Sequence, residues 1–179
     1  VNATEYSDME VVAAALTELE AEGRAFISRC APSFVRPLAG QSEARVVGAE
    51  TITIPDGRLD HGLVVVGSHV GLTTQQLRAV QARGTLVEVE LEVPSLLDER
   101  RAEHLDTVVA TVRETLRSDD CVVYTSRDLV STDDPAESLA IARSVSDAVV
   151  EVVQRVREAR PAWVVAKGGI TSHEVAENG

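Results

Sequence analysis

An α/β fold built on a mainly parallel sheet with helices on both faces is what this chain predicts, and three observations carry it. From Leu63 to Ala166, short apolar runs rich in Val and Leu alternate strictly with amphipathic stretches of helical period. Strands that alternate with helices pair in parallel through crossover connections, which lay the helices over the sheet. Hydrophobic residues make up 44% of the chain and aromatic residues only 3%, so the core must be aliphatic, as it is between sheets and helices. The length, 179 residues, suits one ordinary domain or one domain plus a piece of another.

In chain order, Ser7 or Asp8 followed by Met9, Val11, Val12, Leu16 and Leu19 opens an amphipathic helix that Gly23 stops. Residues 24–28 read as a short strand, and Pro32 starts a short helix through Val35 and Leu38. Residues 41–61 are polar, poorly periodic and punctuated by Gly48, Pro55 and Gly57; they read as a linker with a short strand at Thr51-Ile-Thr-Ile54. Leu63-Val-Val-Val66 is a buried strand, the segment from Thr73 or Thr74 to Arg83 a helix, and residues 85–91 the next strand. A helix through Leu105, Val108, Val109, Val112 and Leu116 leads to the strand Cys121-Val-Val-Tyr-Thr125. Another, through Leu139, Ile141, Val145, Val149 and Val153, leads to the strand Trp163-Val-Val-Ala166.

In open sheets of this kind ligands gather at the carboxyl ends of the strands, so residues just after Val66, Leu91, Thr125 and Ala166 share one rim. Two segments on that rim have the chemistry of a phosphate cradle. After the last strand, Gly168-Gly169 lets the backbone turn sharply and approach a ligand, and Thr171 or Ser172 can cap a helix whose first N–H groups point at an anion. After the first strand, Gly67-Ser68-His69 and Thr73-Thr74 offer a small residue, hydroxyls and helix-start amides. His69 reads as a base, a ligand contact or a surface histidine; Lys167 as a phosphate complement or a solvated strand end; Arg127-Asp128 as ligand-facing, ahead of Ser131-Thr132-Asp133-Asp134-Pro135, which reads as a turn and helix start.

Charge and spacing exclude several function classes. With 17 Lys and Arg against 29 Asp and Glu the formal net charge is -12, which argues against a nucleic-acid surface but not against a small phosphate ligand held by local amides. The four histidines lack the spacing of a metal site, and no nucleophile elbow, Ser-x-x-Lys or paired-carboxylate signature marks a hydrolase. The run Asp98-Glu-Arg-Arg-Ala-Glu103 is a solvated helical face. Cys30 and Cys121 lie far apart and read as reduced. The sequence has no apolar run long enough for a membrane and no basic-then-apolar leader, so no membrane partner is expected and a cytoplasmic location is. Val1 in place of Met, and Gly179 soon after a new helix begins, read as the ends of a segment cut from a longer protein.

Three stretches, taken together, resemble the family of four-carbon acid sugar kinases, formerly a domain of unknown function. They are Ser28-Arg-Cys-Ala-Pro-Ser-Phe-Val-Arg36, Val64-Val-Val-Gly-Ser-His-Val70 with Thr73-Thr-Gln-Gln-Leu77, and Ala166-Lys-Gly-Gly-Ile-Thr-Ser172 continuing into Glu174-Val-Ala176. They fall in the family's order and span essentially the whole chain. The resemblance implies an ATP- and Mg²⁺-dependent kinase that phosphorylates the terminal hydroxyl of a sugar acid such as erythronate, threonate or 3-oxo-tetronate. It implies that residues 1–40 are the tail of an α/β acid-binding domain, 41–61 a linker and 62–179 most of a nucleotide-binding domain. Carried onto matching positions, Ser68, Gly168, Gly169, Ile170 and Thr171 would bind ATP, and Arg29 and Ser33 would face the acid. The family's amino-terminal acidic pair, which serves the acceptor hydroxyl, has no counterpart here and is expected upstream of Val1. Its last glycine-rich segment is also without a counterpart, and His173 stands where a small hydroxyl residue is the rule. This implies a fragment inactive alone, with ATP and a small sugar acid as partners of the whole and room for a homo-oligomer. The other reading is a non-catalytic nucleotide-binding or interface module on the same sheet.

Overall fold

The computed structural model describes residues 2–41, 48–128 and 130–179, so the first part of the expected linker, residues 42–47, lies outside the described residues. The chain divides into two compact units, residues 1–52 and 53–179.

In the first unit, α1 (Tyr6–Ala21) opens at Glu5, not at Ser7 or Asp8. Asp8 instead occupies the third helical position, where its carboxylate accepts the N–H groups of Thr4 at 3.0 Å and Glu5 at 3.2 Å; these bonds, Thr4 first, hold its pKa below the ordinary value. Gly23, at φ 89°, follows the helix end. α2 (Pro32–Leu38) begins at its proline as expected, and the Arg36 guanidinium stacks 4.1 Å from the centre of the Tyr6 ring. Residues 24–28 are irregular rather than a strand, and Thr51–Ile54 is no strand either: a 3₁₀ turn covers Ala49–Thr51 and irregular backbone follows. β-branched residues supply propensity, but a strand exists only where a neighbour completes its hydrogen bonds.

The second unit is the alternation that the apolar pattern foretells: β1 (Leu63–Val66), α3 (Gly71–Arg83), β2 (Val87–Leu91), the short α4 (Val93–Leu96), α5 (Arg101–Thr115), β3 (Cys121–Thr125), α6 (Pro135–Arg157), β4 (Val164–Lys167) and α7 (Gly169–Asn178). The four strands form one parallel sheet in the order β2-β3-β1-β4. The register sets Leu63 beside Cys121 and Val164, and Val66 beside Tyr124 and Lys167, so the carboxyl ends of β1, β3 and β4 finish level.

Side chains alternate across the sheet, and so do the layers they build. Leu63, Val65, Val89, Leu91, Cys121 and Val123 pack into one buried cluster with α5 and α6. α5 presents Leu105, Val108, Val109 and Val112, a stripe at i, i+3, i+4 and i+7, and all four are buried. On the other face Val66 and Val122 meet Leu77 of α3, with Val64, Leu86 and Tyr124 around them. α6 starts where Asp134 accepts the Ala136 N–H at 2.8 Å, and it is anchored to α5 by the Arg101–Glu151 and Arg155–Asp106 pairs. Cys121 is buried at the start of β3, which pushes its thiol up to about 12 and leaves it inert.

The amino-terminal edge of the sheet is tied shut. The Cys121 N–H donates to the Gly62 carbonyl at 3.0 Å, and the Gly62 N–H to the Asp120 carboxylate at 2.8 Å. The carboxyl edge stays open, and there the connections diverge. The loop after β1 turns to the α3 face, whereas those after its neighbours β3 and β4 turn to the face of α6, against which α7 also packs. A crevice must open where adjacent connections leave a sheet on opposite faces.

Candidate functional site

That crevice is a cavity of about 580 Å³, in the range of small-molecule sites. Three connections, the start of α4 at Val93 and the helix α6 line it. The β1–α3 turn contributes Gly67, Ser68, His69 and Val70; the β3–α6 loop contributes Asp128, Val130 and Ser131; the start of α7 contributes Gly168 to Thr171; and α6 supplies a wall of Ile141, Ala142, Val145, Ser146 and Val149. Five residues singled out in the sequence, Ser68, Gly168, Gly169, Ile170 and Thr171, therefore share one cavity. Arg29 and Ser33 are exposed residues of the first unit, Arg29 in irregular chain and Ser33 in α2. Lys167 is not part of the cavity lining; it borders a second hollow on the α3 face beside Val64, Gln76 and Val165.

The close approach of β1 and β4 rests on two glycines. A Cβ on Gly67 would sit 2.5 Å from the Thr171 hydroxyl oxygen, and one on Gly168 would sit 2.7 Å from the Ser68 Cβ. Gly168 also has φ 121° and ψ 142°, a conformation open in practice to glycine alone. It is the N-cap of α7, in place of the expected Thr171 or Ser172. The helix starts earlier because the glycine itself makes the turn, and Ser172 turns inward instead, donating its hydroxyl to the Ala166 carbonyl at 2.8 Å.

Among the described residues this geometry leaves donors free. The first intrahelical bond runs from the Ser172 N–H to the Gly168 carbonyl at 2.8 Å, so the amides of Gly169, Ile170 and Thr171 have no acceptor within the helix. Those three residues line the cavity. Across from them the Ser68 Oγ accepts the Val70 N–H at 3.3 Å, which occupies a lone pair and leaves the hydroxyl proton to be donated. A turn of unbonded amides at a helix start, faced by a hydroxyl donor, is suited to phosphate oxygens. The lining also carries Val93, Val130, Ile141, Val145 and Val149, apolar surface suited to a flat ring.

Arg127 lies just behind the cavity. Its Nη2 donates to the Ser68 carbonyl and to the Thr74 hydroxyl, both at 2.7 Å. His69, in the same turn, has a pKa below its ordinary 6.5, first through burial and then through the Arg127 charge, and is the neutral imidazole at neutral pH. A histidine whose folded pKa is depressed contributes stability above about pH 6.5, and that contribution is lost as pH falls through the lower folded value. The melting temperature should therefore drop between pH 7 and pH 5 more steeply in the native chain than in His69→Gln. Parallel melting curves of the two proteins would show that His69 has no such part.

No group of three or more His, Cys, Asp or Glu that could hold a metal ion occurs among the described residues. His61 pairs with Asp120 at 3.6 Å, His104 accepts the Glu92 N–H at 2.8 Å, and His173 pairs with Glu177 at 3.1 Å. No described helix is long and apolar enough to cross a membrane.

Sequence reasoning missed two parts of this site. The apolar stripe of α6 predicts a helix but not a cavity wall; the signal for the wall is the small Ala142 and Ser146 set beside Ile141 and Val145, which leave space where a packed helix would fill it. The short α4 was missed altogether, and Val93 at its start lines the cavity.

Comparison with known proteins bears on this geometry. The family model described as a nucleotide-binding C-terminal domain matches residues 63–179, which begin at β1 and run through the whole sheet. No curated protein matches the chain. Among solved structures, a domain of unknown function (DUF1537) from Bordetella bronchiseptica, crystallised with bound citrate as a domain-swapped dimer, is 23% identical with a TM-score of 0.49. The match covers 66% of this chain and 28% of that one.

Proposed function

The chain belongs to the nucleotide-binding C-terminal domain family, and on that premise we propose that its cavity holds ATP as the nucleotide half of a kinase acting on four-carbon sugar acids. One observation carries the ATP reading: the Ser68 hydroxyl and the unbonded amides of Gly169, Ile170 and Thr171 face one cavity at the point where the connections beside β1 part. The adenine would lie against the apolar wall of α6 and the phosphates between α7 and the β1–α3 turn.

Phosphoryl transfer asks mainly for positioning and for charge neutralisation on the transferring oxygens. The amides of α7 would orient the phosphate tail, the Ser68 hydroxyl would fix its rotation, and the aliphatic wall would keep water from the base. Mg²⁺, when bound with the nucleotide, supplies charge neutralisation. Such an ion keeps several waters and takes only one or two carboxylates, and Asp128 is the carboxylate on the cavity lining, so the residues present fit an ion carried in with ATP rather than a separate cage. Arg29 and Ser33 would meet the sugar acid in the complete enzyme, where the acidic pair serving the acceptor hydroxyl also belongs.

Calorimetric titration of this chain with ATP and with adenosine tests the site. ATP is expected to bind more tightly, because the proposed donors answer phosphate; an absence of any nucleotide binding would refute the assignment. The kinase reading is tested on the parent protein, by ATP consumption with erythronate, threonate and 3-oxo-tetronate. If the parent binds nucleotide but consumes ATP with none of these acids, the non-catalytic module is the correct reading.

A further inference from the structure

Among the described residues the lining of the cavity contains no lysine or arginine, although a triphosphate brings several negative charges. Arg127 is a cation on the open rim that precedes the lining residue Asp128 and bonds the carbonyl of the lining residue Ser68. Its situation is unlike that of the other partly covered arginines of the second unit. Arg101, Arg113 and Arg155 each meet a carboxylate, whereas Arg127 forms no ion pair among the described residues, in a chain with 29 acidic side chains. One nitrogen, Nη2, is doubly used, while Nε and Nη1 are buried without an acceptor. The Nδ1 of neighbouring His69 is likewise buried and unpartnered. A half-covered guanidinium short of both countercharge and acceptors is costly to maintain, so its place calls for a compensating charge.

Resting on the nucleotide reading of this cavity, we propose that Arg127 is a positioning residue of the site: it braces the β1–α3 turn so that the Ser68 donors face the cavity, and it supplies from behind them the positive charge that a polyphosphate answers. The bond to the Ser68 carbonyl holds that acceptor away from incoming phosphate, which a carbonyl would repel. The bond to Thr74 fixes the same guanidinium to α3, so turn and helix are held together. Of the charged groups near His69, Arg127 and Asp128 come from the β3–α6 loop, while α3 presents Thr74 and the start of α7 presents only amides and a hydroxyl.

The test compares the native chain with Arg127→Gln and Arg127→Lys, each checked for folding by circular dichroism. ATP and adenosine are titrated calorimetrically, and the His69 imidazole is titrated by NMR. Arg127→Gln is expected to weaken ATP binding about tenfold while leaving adenosine unmoved, because a charge-assisted interaction is lost at the phosphate end only. His69 is expected to titrate closer to its ordinary value once the neighbouring charge is gone. Arg127→Lys, which keeps the charge without the two-point brace, is expected to recover part of the ATP affinity. Unchanged ATP affinity in Arg127→Gln would overturn the proposal, as would ATP and adenosine weakening in equal proportion, the mark of a merely structural role. If Arg127→Gln does not fold, Arg127→Lys decides: selective weakening toward ATP supports the proposal and equal weakening overturns it. Native chain that binds neither probe would refute the nucleotide site itself, and this inference with it, a result distinct from failure in the variants alone.

Discussion

Gly168→Val is expected to cost the chain on the order of 3 kcal/mol of stability, lowering its melting temperature by roughly 10 °C, and to remove nucleotide binding at the same time. Two independent effects add. A valine cannot relax into φ 121°, where a β-branched residue is strained wherever it is placed. Its Cβ would also lie 2.7 Å from the Ser68 Cβ and 3.3 Å from the Thr171 hydroxyl, so the β1–α3 turn and the start of α7 would have to separate. Those two segments carry the donors of the proposed phosphate cradle, and their separation disassembles it. Thermal denaturation and ATP titration of the same preparation check both halves. A variant that melts as the native chain does would show that the backbone at residue 168 is not held in this conformation.

The strands were the most legible part of the fold, for a physical reason. Leu63–Val66 and Cys121–Thr125 are found at the bounds expected of them, because the inner strands of a covered parallel sheet bury both faces and read as unbroken apolar runs. At the edges the signal weakens. β2 carries Glu88 and Glu90 and begins two residues later than expected, and β4 runs from Val164 to Lys167 instead of from Trp163 to Ala166. Residues 24–28 and 51–54 show the limit of propensity, since neither segment pairs as a strand among the described residues. The rim residues could be found because glycine and hydroxyl side chains after a strand have few other uses. The Arg127 brace could not, because its meaning lies in contacts 59 and 53 residues away along the chain, with Ser68 and Thr74, and in the lack of a carboxylate that only the folded state reveals. The cap of α7 was misplaced because hydroxyl residues are the usual caps, whereas here a glycine in an unusual conformation turns the chain before they are reached.

Gly169→Val, one residue further on, is expected to separate binding from folding. Gly169 is the first residue of α7, its φ is not among the positive ones, and a Cβ built on it meets nothing within 4 Å. The backbone there does not require glycine and a Cβ meets open space, so the melting temperature should stay close to that of the native chain. The open space beside it belongs to a residue of the cavity lining, and a branched side chain in it would hold phosphate oxygens away from the amides of the first turn. Losing two charge-assisted hydrogen bonds, at roughly 1.5 kcal/mol each, would weaken ATP on the order of 100-fold. The helix dipole, about 0.5 kcal/mol at an exposed helix start, is unaltered by the substitution and cannot replace them. Calorimetric titration beside a melting curve reads both quantities. Native-like ATP affinity in a folded Gly169→Val protein would mean that the phosphates lie elsewhere on the rim, and the amides of α7 would then have no part in holding the nucleotide.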